Sequence, residues 1–428
     1  MTAYLLSFAS VMKSIGGVLL AIVILLAMVT IHEFGHYVAG KILGFKINEF
    51  AVGFGPAILK KRSKKTGELF ALRIIPLGGF CAFDGEDYDE DDVRKETAEE
   101  TSEEKPFEEC ETVKSQDVFQ NDGGRVASSE KSPDEAAENK EEYPEPKGKR
   151  FNDQPPWKRI IVLIAGATMN YLLALLLIIV MFASFGRPLY TVVEENPNPP
   201  ETEPTATEQT TEETVGEEWL TTGDIILKLD GKNVYLITDY MSALDGKKAG
   251  ERVPVLVLRD GVETQVYMQL AKDAEFANMS DTLALLESMD IYGLYTTTAK
   301  QDFFESIGHS FVYSWKIGGT VLRSLGELLT GKLGLDAMGG PITTIKITSE
   351  AASSSLLSFL NIAAFIGVNL AVFNLLPVPA LDGCKVIFCI IEWIRKKPIN
   401  RKVETMIHFI GIIFLFGFAI LVDLLQLF

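Results

Sequence analysis

Residues 15–31, 160–185 and 407–425 are almost unbroken runs of apolar side chains. Each approaches the roughly 20 residues that a helix needs to cross about 30 Å of hydrocarbon. That property removes most folds from consideration, because inside lipid every backbone amide and carbonyl must find its partner within the protein. A fourth run, 356–378, is interrupted by Asn361, Asn369, Asn374 and Pro377, yet is apolar enough to read as another span. Phe303–Leu329 carries Lys316 and Arg323 and reads as an amphipathic helix on the membrane surface. No small-residue cleavage site follows the first run, so it reads as a retained helix rather than a signal peptide.

Charge is distributed unevenly. The formal net charge is −18, but residues 84–150 alone hold 24 acidic and 10 basic side chains, a surplus of 14 negatives. That stretch, poor in apolar residues, is expected to be a disordered insertion, with a cytosolic docking partner as the sharper possibility. The remainder is close to neutral and shows no basic face, which argues against a nucleic-acid partner. Cys81, Cys110, Cys384 and Cys389 have no C-x-x-C spacing, so buried free thiols are expected rather than a zinc knuckle or a disulfide framework.

Basic residues set the expected orientation. Lys41, Lys46, Lys60, Lys61, Arg62, Lys64 and Lys65 follow the first span, and Lys147, Lys149, Arg150, Lys158 and Arg159 precede the second. Arg395, Lys396, Lys397, Arg401 and Lys402 lie between the third and fourth. The connection after the second span is acidic. The first and third connections are therefore expected in the cytoplasm, with both termini and the central region outside.

The first span ends in "HEFGH", residues 32–36. His32 and His36, four apart, share one helix face and can grip one ion. His-Glu-x-x-His is the zinc pattern in which the glutamate, here Glu33, serves as general base. A catalytic zinc usually takes a third protein ligand and keeps one position open. The stretch "NLLPVPALDG", 374–383, offers Asp382. Its two prolines in three residues cannot continue a regular helix, so the backbone must unwind there. Spans one and three run in the same direction, which brings His32, His36 and Asp382 to one end of the bundle. His309 and His408 are poorer candidates, one on the outer side and one early in the last span.

These features resemble the site-2 protease family of intramembrane zinc metalloproteases, in its bacterial regulator-of-sigma branch. "GFGP" at 53–56, "RIIPLGGF" at 73–80, "FNDQPPWKRIIVLIAGATMN" at 151–170, "GDIILKLDGKNV" at 223–234 and "GGPITT" at 339–344 extend the likeness along most of the chain. The resemblance implies zinc bound by His32, His36 and Asp382, and Glu33 activating the attacking water. It implies Asn374 on the substrate backbone and Asn170 near the site. It also implies a β-hairpin that presents the substrate as a strand, and substrates that are transmembrane proteins already trimmed by another protease. Two positions depart from the pattern: Cys384 where glycine is general, and Ala167 where proline is usual.

The expected architecture is a polytopic α-helical membrane protein with about four transmembrane helices, a membrane-associated β-hairpin and one extracytoplasmic β-rich PDZ-like domain. In order, 1–40 is the first span, 41–83 the hairpin region and 84–150 the acidic insertion. The second span occupies 151–186, and 187–297 forms the PDZ-like domain with its own acidic stretch at the start. An amphipathic region at 298–350 leads to the third span, 351–383, and to the basic connection and fourth span, 384–428. "LDG" and "RDG" inside 223–270 are expected to be tight turns between strands. The expected function is a zinc-dependent intramembrane endopeptidase of the bacterial plasma membrane, acting on anti-sigma factors or remnant signal peptides. The rival is a catalytically silent scaffold binding partners through the PDZ-like domain, which would need neither Glu33 nor Asp382.

Overall fold

A computed structural model describes residues 2–86, 143–192, 218–244, 246–248, 251–269, 294–332, 334–335 and 339–426. Most of the acidic insertion, and the acidic start of the 187–297 region, lie outside the described residues. Four of the described helices are long and apolar enough to cross a membrane: Ile15–Leu43 within α1 (Thr2–Leu43), α2 (Pro156–Phe185), Leu356–Asn374 and Arg401–Leu425. Their ends follow local chemistry. α1 stops at Gly44, whose φ of 77° suits the residue just past a helix. α2 opens on Pro156 and closes at Gly186.

α1, α2 and the third span pack side by side. Small residues allow the approach, as is usual where lipid provides no hydrophobic drive. A Cβ on Gly35 would lie 2.8 Å from the Ala165 carbonyl carbon, and one on Gly367 would lie 2.9 Å from the Ala174 methyl.

β1 (Ile47–Arg62) and β2 (Leu69–Phe83) form more than a simple hairpin. Residues 57–62 pair with 69–73, while 49–52 are flanked by 69–72 on one side and 79–82 on the other. The sheet therefore ends in the strand 79–83, which lies against the end of α1. Phe45, Ile47, Cys81 and Phe83 anchor it on Phe151, Val162 and Leu163. The acidic insertion leaves and returns at one point: Phe151 N–H donates to Asp84 O at 2.7 Å, and Lys46 N–H to Lys149 O at 2.8 Å. Lys46 also pairs with Asp84 at 3.0 Å.

At the far end of α2, the chain enters a six-stranded sheet. β3 (Arg187–Val192) pairs antiparallel with β8 (Leu294–Ala299), about a hundred residues later. β4 (Ile225–Leu229), β5 (Lys232–Asn233), β6 (Arg252–Arg259) and β7 (Val262–Gln269) complete it in the order β7-β6-β4-β3-β8, with β5 beside β4. Both expected turns are present: Asp230–Gly231 and Asp260–Gly261 all have positive φ, as a two-residue type I′ turn requires. α3 (Ile237–Leu244) covers a core of Ile226, Leu229, Tyr240, Val255, Val257 and Val266.

α4 (Phe303–Leu329) returns along the bundle, burying Ser306, Ser310, Tyr313, Ser314, Ile317 and Val321. α5 (Pro341–Ser354) packs on α1. The "GGPITT" segment opens α5, whose first amides are held from elsewhere: Asp423 accepts from Ile342 N–H at 3.1 Å and Thr343 N–H at 3.4 Å. α6 (Leu356–Asn374), α7 (Asp382–Arg395) and α8 (Arg401–Leu425) follow. The basic connection is thus largely helical, a feature that the composition of 384–400 did not announce. A buried ion pair between Arg159 and Glu392 joins α2 to α7.

Candidate metal centre and catalytic cleft

α6 ends at Asn374, and α7 starts at Asp382. The intervening 375–381 is the expected unwound backbone, with Ala380 at a φ of 81°. Asp382 occupies the first turn of the new helix, where a carboxylate is favoured by the exposed amides. The last span supports this loop. His408 Nδ1 accepts from Ala380 N–H at 3.1 Å, and a Cβ on Gly411 would lie 2.7 Å from the Pro379 carbonyl carbon. His408 is thus no ligand but a support for the segment that carries one.

Three donor atoms converge from α1 and α7. His32 Nε2 lies 3.0 Å from Asp382 Oδ2, His36 Nε2 lies 3.3 Å from the same oxygen, and the two Nε2 atoms are 3.1 Å apart. Among the described residues, these three form the one group of histidine, cysteine and acidic side chains able to share an ion. His36 Nδ1–H is committed to the Val162 carbonyl at 2.8 Å, so Nε2 of the neutral ring is a bare acceptor. The Asn374 amide nitrogen is 3.2 Å from His32 Nδ1. Turning that amide, whose two ends are interchangeable by rotation, lets Nδ1–H donate to its oxygen and frees His32 Nε2 as well.

Two imidazole nitrogens and a carboxylate oxygen at these separations can share one cation. Tetrahedral donors at about 2.0–2.1 Å from zinc sit about 3.3 Å from one another. The donor set and spacing fit Zn2+, the cofactor expected from the sequence. Partners beyond the ligands, here Val162 O and Asn374, hold the rings in orientation, as metal-bound histidines require.

Gly166 leaves the two histidines the room they occupy. It faces both imidazoles, and a Cβ there would lie 2.7 Å from His32 Cε1 and 2.6 Å from His36 Cε1. The "AGATMN" segment can pass the ligands only because it has no side chain at this turn. Asn170, one turn further, is buried, and its Oδ1 has no hydrogen-bond partner among the described residues.

Beside the ligands lies a cleft of about 310 Å³, lined by Glu33, His36, Leu163, Asp382, residues 80–83, Glu86 and Lys385. Glu33 stands next to the ligands in sequence and across from strand 79–83 in space. Its carboxylate lies close to the Cys81 amide. A Cβ on Gly79 would lie 3.5 Å from Glu33 Cγ. The arrangement brings a carboxylate, an ion site and the edge of strand 79–83 around one cleft. Cys81, Cys384 and Cys389 are free and buried as expected, while Cys110 lies outside the described residues. Burial pushes the Cys81 thiol far up, with Glu33 adding to the effect, so it stays protonated and adds no thiolate donor. Cys384 is not among the residues lining the cleft.

The family model for peptidase family M50 matches residues 20–418. Zinc metalloprotease RasP of Bacillus licheniformis is 27% identical over 414 residues, covering 91% of this chain and 93% of that protein. The regulator of sigma-W protease RasP of Bacillus subtilis is also 27% identical, over 423 residues, with 92% and 94% covered. The match spans the first span, the cleft and the "LDG" helix together, and this membrane protein belongs to peptidase family M50.

Proposed function

We propose that this protein is an intramembrane zinc metalloprotease that hydrolyses a peptide bond within or near the transmembrane segment of single-span proteins. The observation that carries the proposal is the meeting of His32, His36 and Asp382 at 3.0–3.3 Å beside Glu33 and a strand edge. A zinc ion held there supplies a Lewis acid that polarises the scissile carbonyl and lowers the pKa of the attacking water.

The chain's own residues do the rest. Glu33 takes a proton from the water and returns it to the leaving nitrogen, its side chain lying in the cleft beside strand 79–83. A substrate helix hides its carbonyls in hydrogen bonds and must open before attack. Strand 79–83, paired on one side with 47–52, offers its other edge for the opened segment to add as a strand. Asn374 steadies His32 and contacts the substrate backbone, and Asn170 offers its unpartnered oxygen nearby.

The basic connections favour the cytoplasmic side for this end, with both termini and the six-stranded, PDZ-like domain outside. That domain would act as a gate admitting substrates whose outer part has been removed by another protease. Anti-sigma factors and remnant signal peptides are the substrate classes, the former in keeping with the name of the Bacillus subtilis relative. The test uses two single-span reporters, with and without an outer domain. Wild-type protein should cleave the trimmed reporter and spare the other, and Glu33→Gln should cleave neither. Equal cleavage of both reporters would remove the gate, and no cleavage by wild type would favour a silent scaffold.

A further inference from the structure

Lys385 has no part in the chemistry described so far, yet it faces the same cleft. It lies three residues after Asp382 on α7, so both project from one helix face. Among the residues lining the cleft, it is the one bearing a full positive charge on a flexible stem. Its Nζ donates to Glu86 Oε1 at 2.7 Å. Glu86 belongs to the short turn after β2, which the Phe151 N–H to Asp84 O hydrogen bond pins at the start of the acidic insertion. The ion pair therefore bridges the strand edge and the ligand-bearing helix across the cleft.

Hydrolysis changes the charge in this space. Water adds across the amide, the C–N bond breaks, and the products separate as a carboxylate on one fragment and an ammonium on the other. Once the amine leaves, the new carboxylate stands beside the ion site, in a cleft lined also by Glu33 and by the Lys385–Glu86 pair. We infer that Lys385 is the product-binding residue of the cleft, exchanging Glu86 for the carboxylate of the newly formed C-terminus.

The exchange replaces one carboxylate by another, so the Lys385 ammonium keeps a counter-charge while Glu86 gives up its partner. The pair is also partly open to solvent, the two side chains being 31% and 17% exposed, which keeps the cost of breaking it low. Glu86 plays the complementary part. It neutralises Lys385 while the cleft waits for substrate, and it competes with product for the ammonium. The assignment rests on the protease reading above.

The experiment uses full-length, zinc-loaded protein and the amino-terminal fragment of whichever trimmed reporter it cleaves. That fragment is prepared as the free acid and as the C-terminal carboxamide, and each is tested as an inhibitor. For wild type the acid should inhibit about tenfold more tightly than the amide, with a difference lost in Lys385→Met and regained in Lys385→Arg. Glu86→Gln should widen the difference by removing the competitor. Zinc content measured on each variant should remain near one per chain, separating the effect from loss of the ion. An acid-to-amide ratio in Lys385→Met equal to that of wild type would overturn the assignment alone, since the preference would then come from elsewhere in the cleft. Wild-type protein that cleaves no reporter would overturn the protease reading, and this assignment with it.

Discussion

Two histidine clusters stand at opposite ends of α2, about 30 Å apart by the rise of the intervening helix. At one end, His32 and His36 turn bare nitrogens toward Asp382. At the other, His309 Nδ1 lies 2.8 Å from the Tyr235 hydroxyl and 3.4 Å from Arg187 Nη1. Arg187 also stacks on the Tyr235 ring, 4.7 Å from its centre, and Lys316 approaches the same ring at 5.2 Å. The difference lies in the neighbours rather than in the imidazoles. The first cluster gathers acceptors and calls for a cation. The second gathers donors and cations, spends its lone pair on a hydroxyl, and docks the β-rich domain onto α4.

The sharpest way to break this comparison is to add one methyl group at each cluster. Gly166→Ala drives its Cβ against both ligand imidazoles. It should lower zinc affinity on the order of 100-fold and cost about 1–3 kcal/mol of stability through overpacking. Gly308→Ala, beside His309, meets no atom within 4 Å. It should leave zinc affinity unchanged and stabilise α4 by up to about 1 kcal/mol, because alanine is the better helix former. Competition with a zinc-sensitive dye and thermal melts would measure both. Equal zinc affinity in the two variants would mean that α2 does not press on the ligands.

Hydrogen-bond deletions sharpen the comparison next. His408→Ala frees Ala380 N–H and loosens 375–381, so zinc affinity should fall about tenfold with the three ligands intact. Tyr235→Phe removes the donor to His309 and should leave zinc binding alone while costing about 1 kcal/mol of stability.

The smallest effect concerns pH. Burial, then the Arg187 charge, lowers the His309 pKa, so the folded protein favours the neutral ring. A histidine lowered on folding contributes stability above its unfolded pKa of about 6.5 and loses it as pH falls through the folded value. Wild type should therefore lose slightly more melting temperature than His309→Gln between pH 7 and pH 5. The reverse order would mean that protonation of His309 strengthens the contact.

Much of the inner site was legible because its signals are local. His32 and His36 sit four apart, the prolines of "NLLPVPALDG" forecast the break in the helix, and the basic connections oriented the spans so that Asp382 could join them. The two Asp-Gly turns were legible for the same reason, since each carries its backbone requirement in two adjacent residues. What escaped depends on how distant helices are rotated against each other. The Val162 carbonyl and Gly166 reach the site from a helix more than a hundred residues after the histidines, and His408 reaches it from the helix that follows the loop it supports. Apolar periodicity says that such helices exist, but it does not say which turn faces an imidazole. The strand Arg187–Val192 was hidden for a related reason, because its partner β8 lies about a hundred residues away.

The central claim separates holding the ion from using it. The most direct test measures zinc content and reporter cleavage together for wild type, Asp382→Asn and Glu33→Gln. The account predicts one zinc and cleavage for wild type, little zinc and no cleavage for Asp382→Asn, and one zinc without cleavage for Glu33→Gln. A Glu33→Gln protein that cleaves at the wild-type rate, or an Asp382→Asn protein that keeps its zinc, would contradict it.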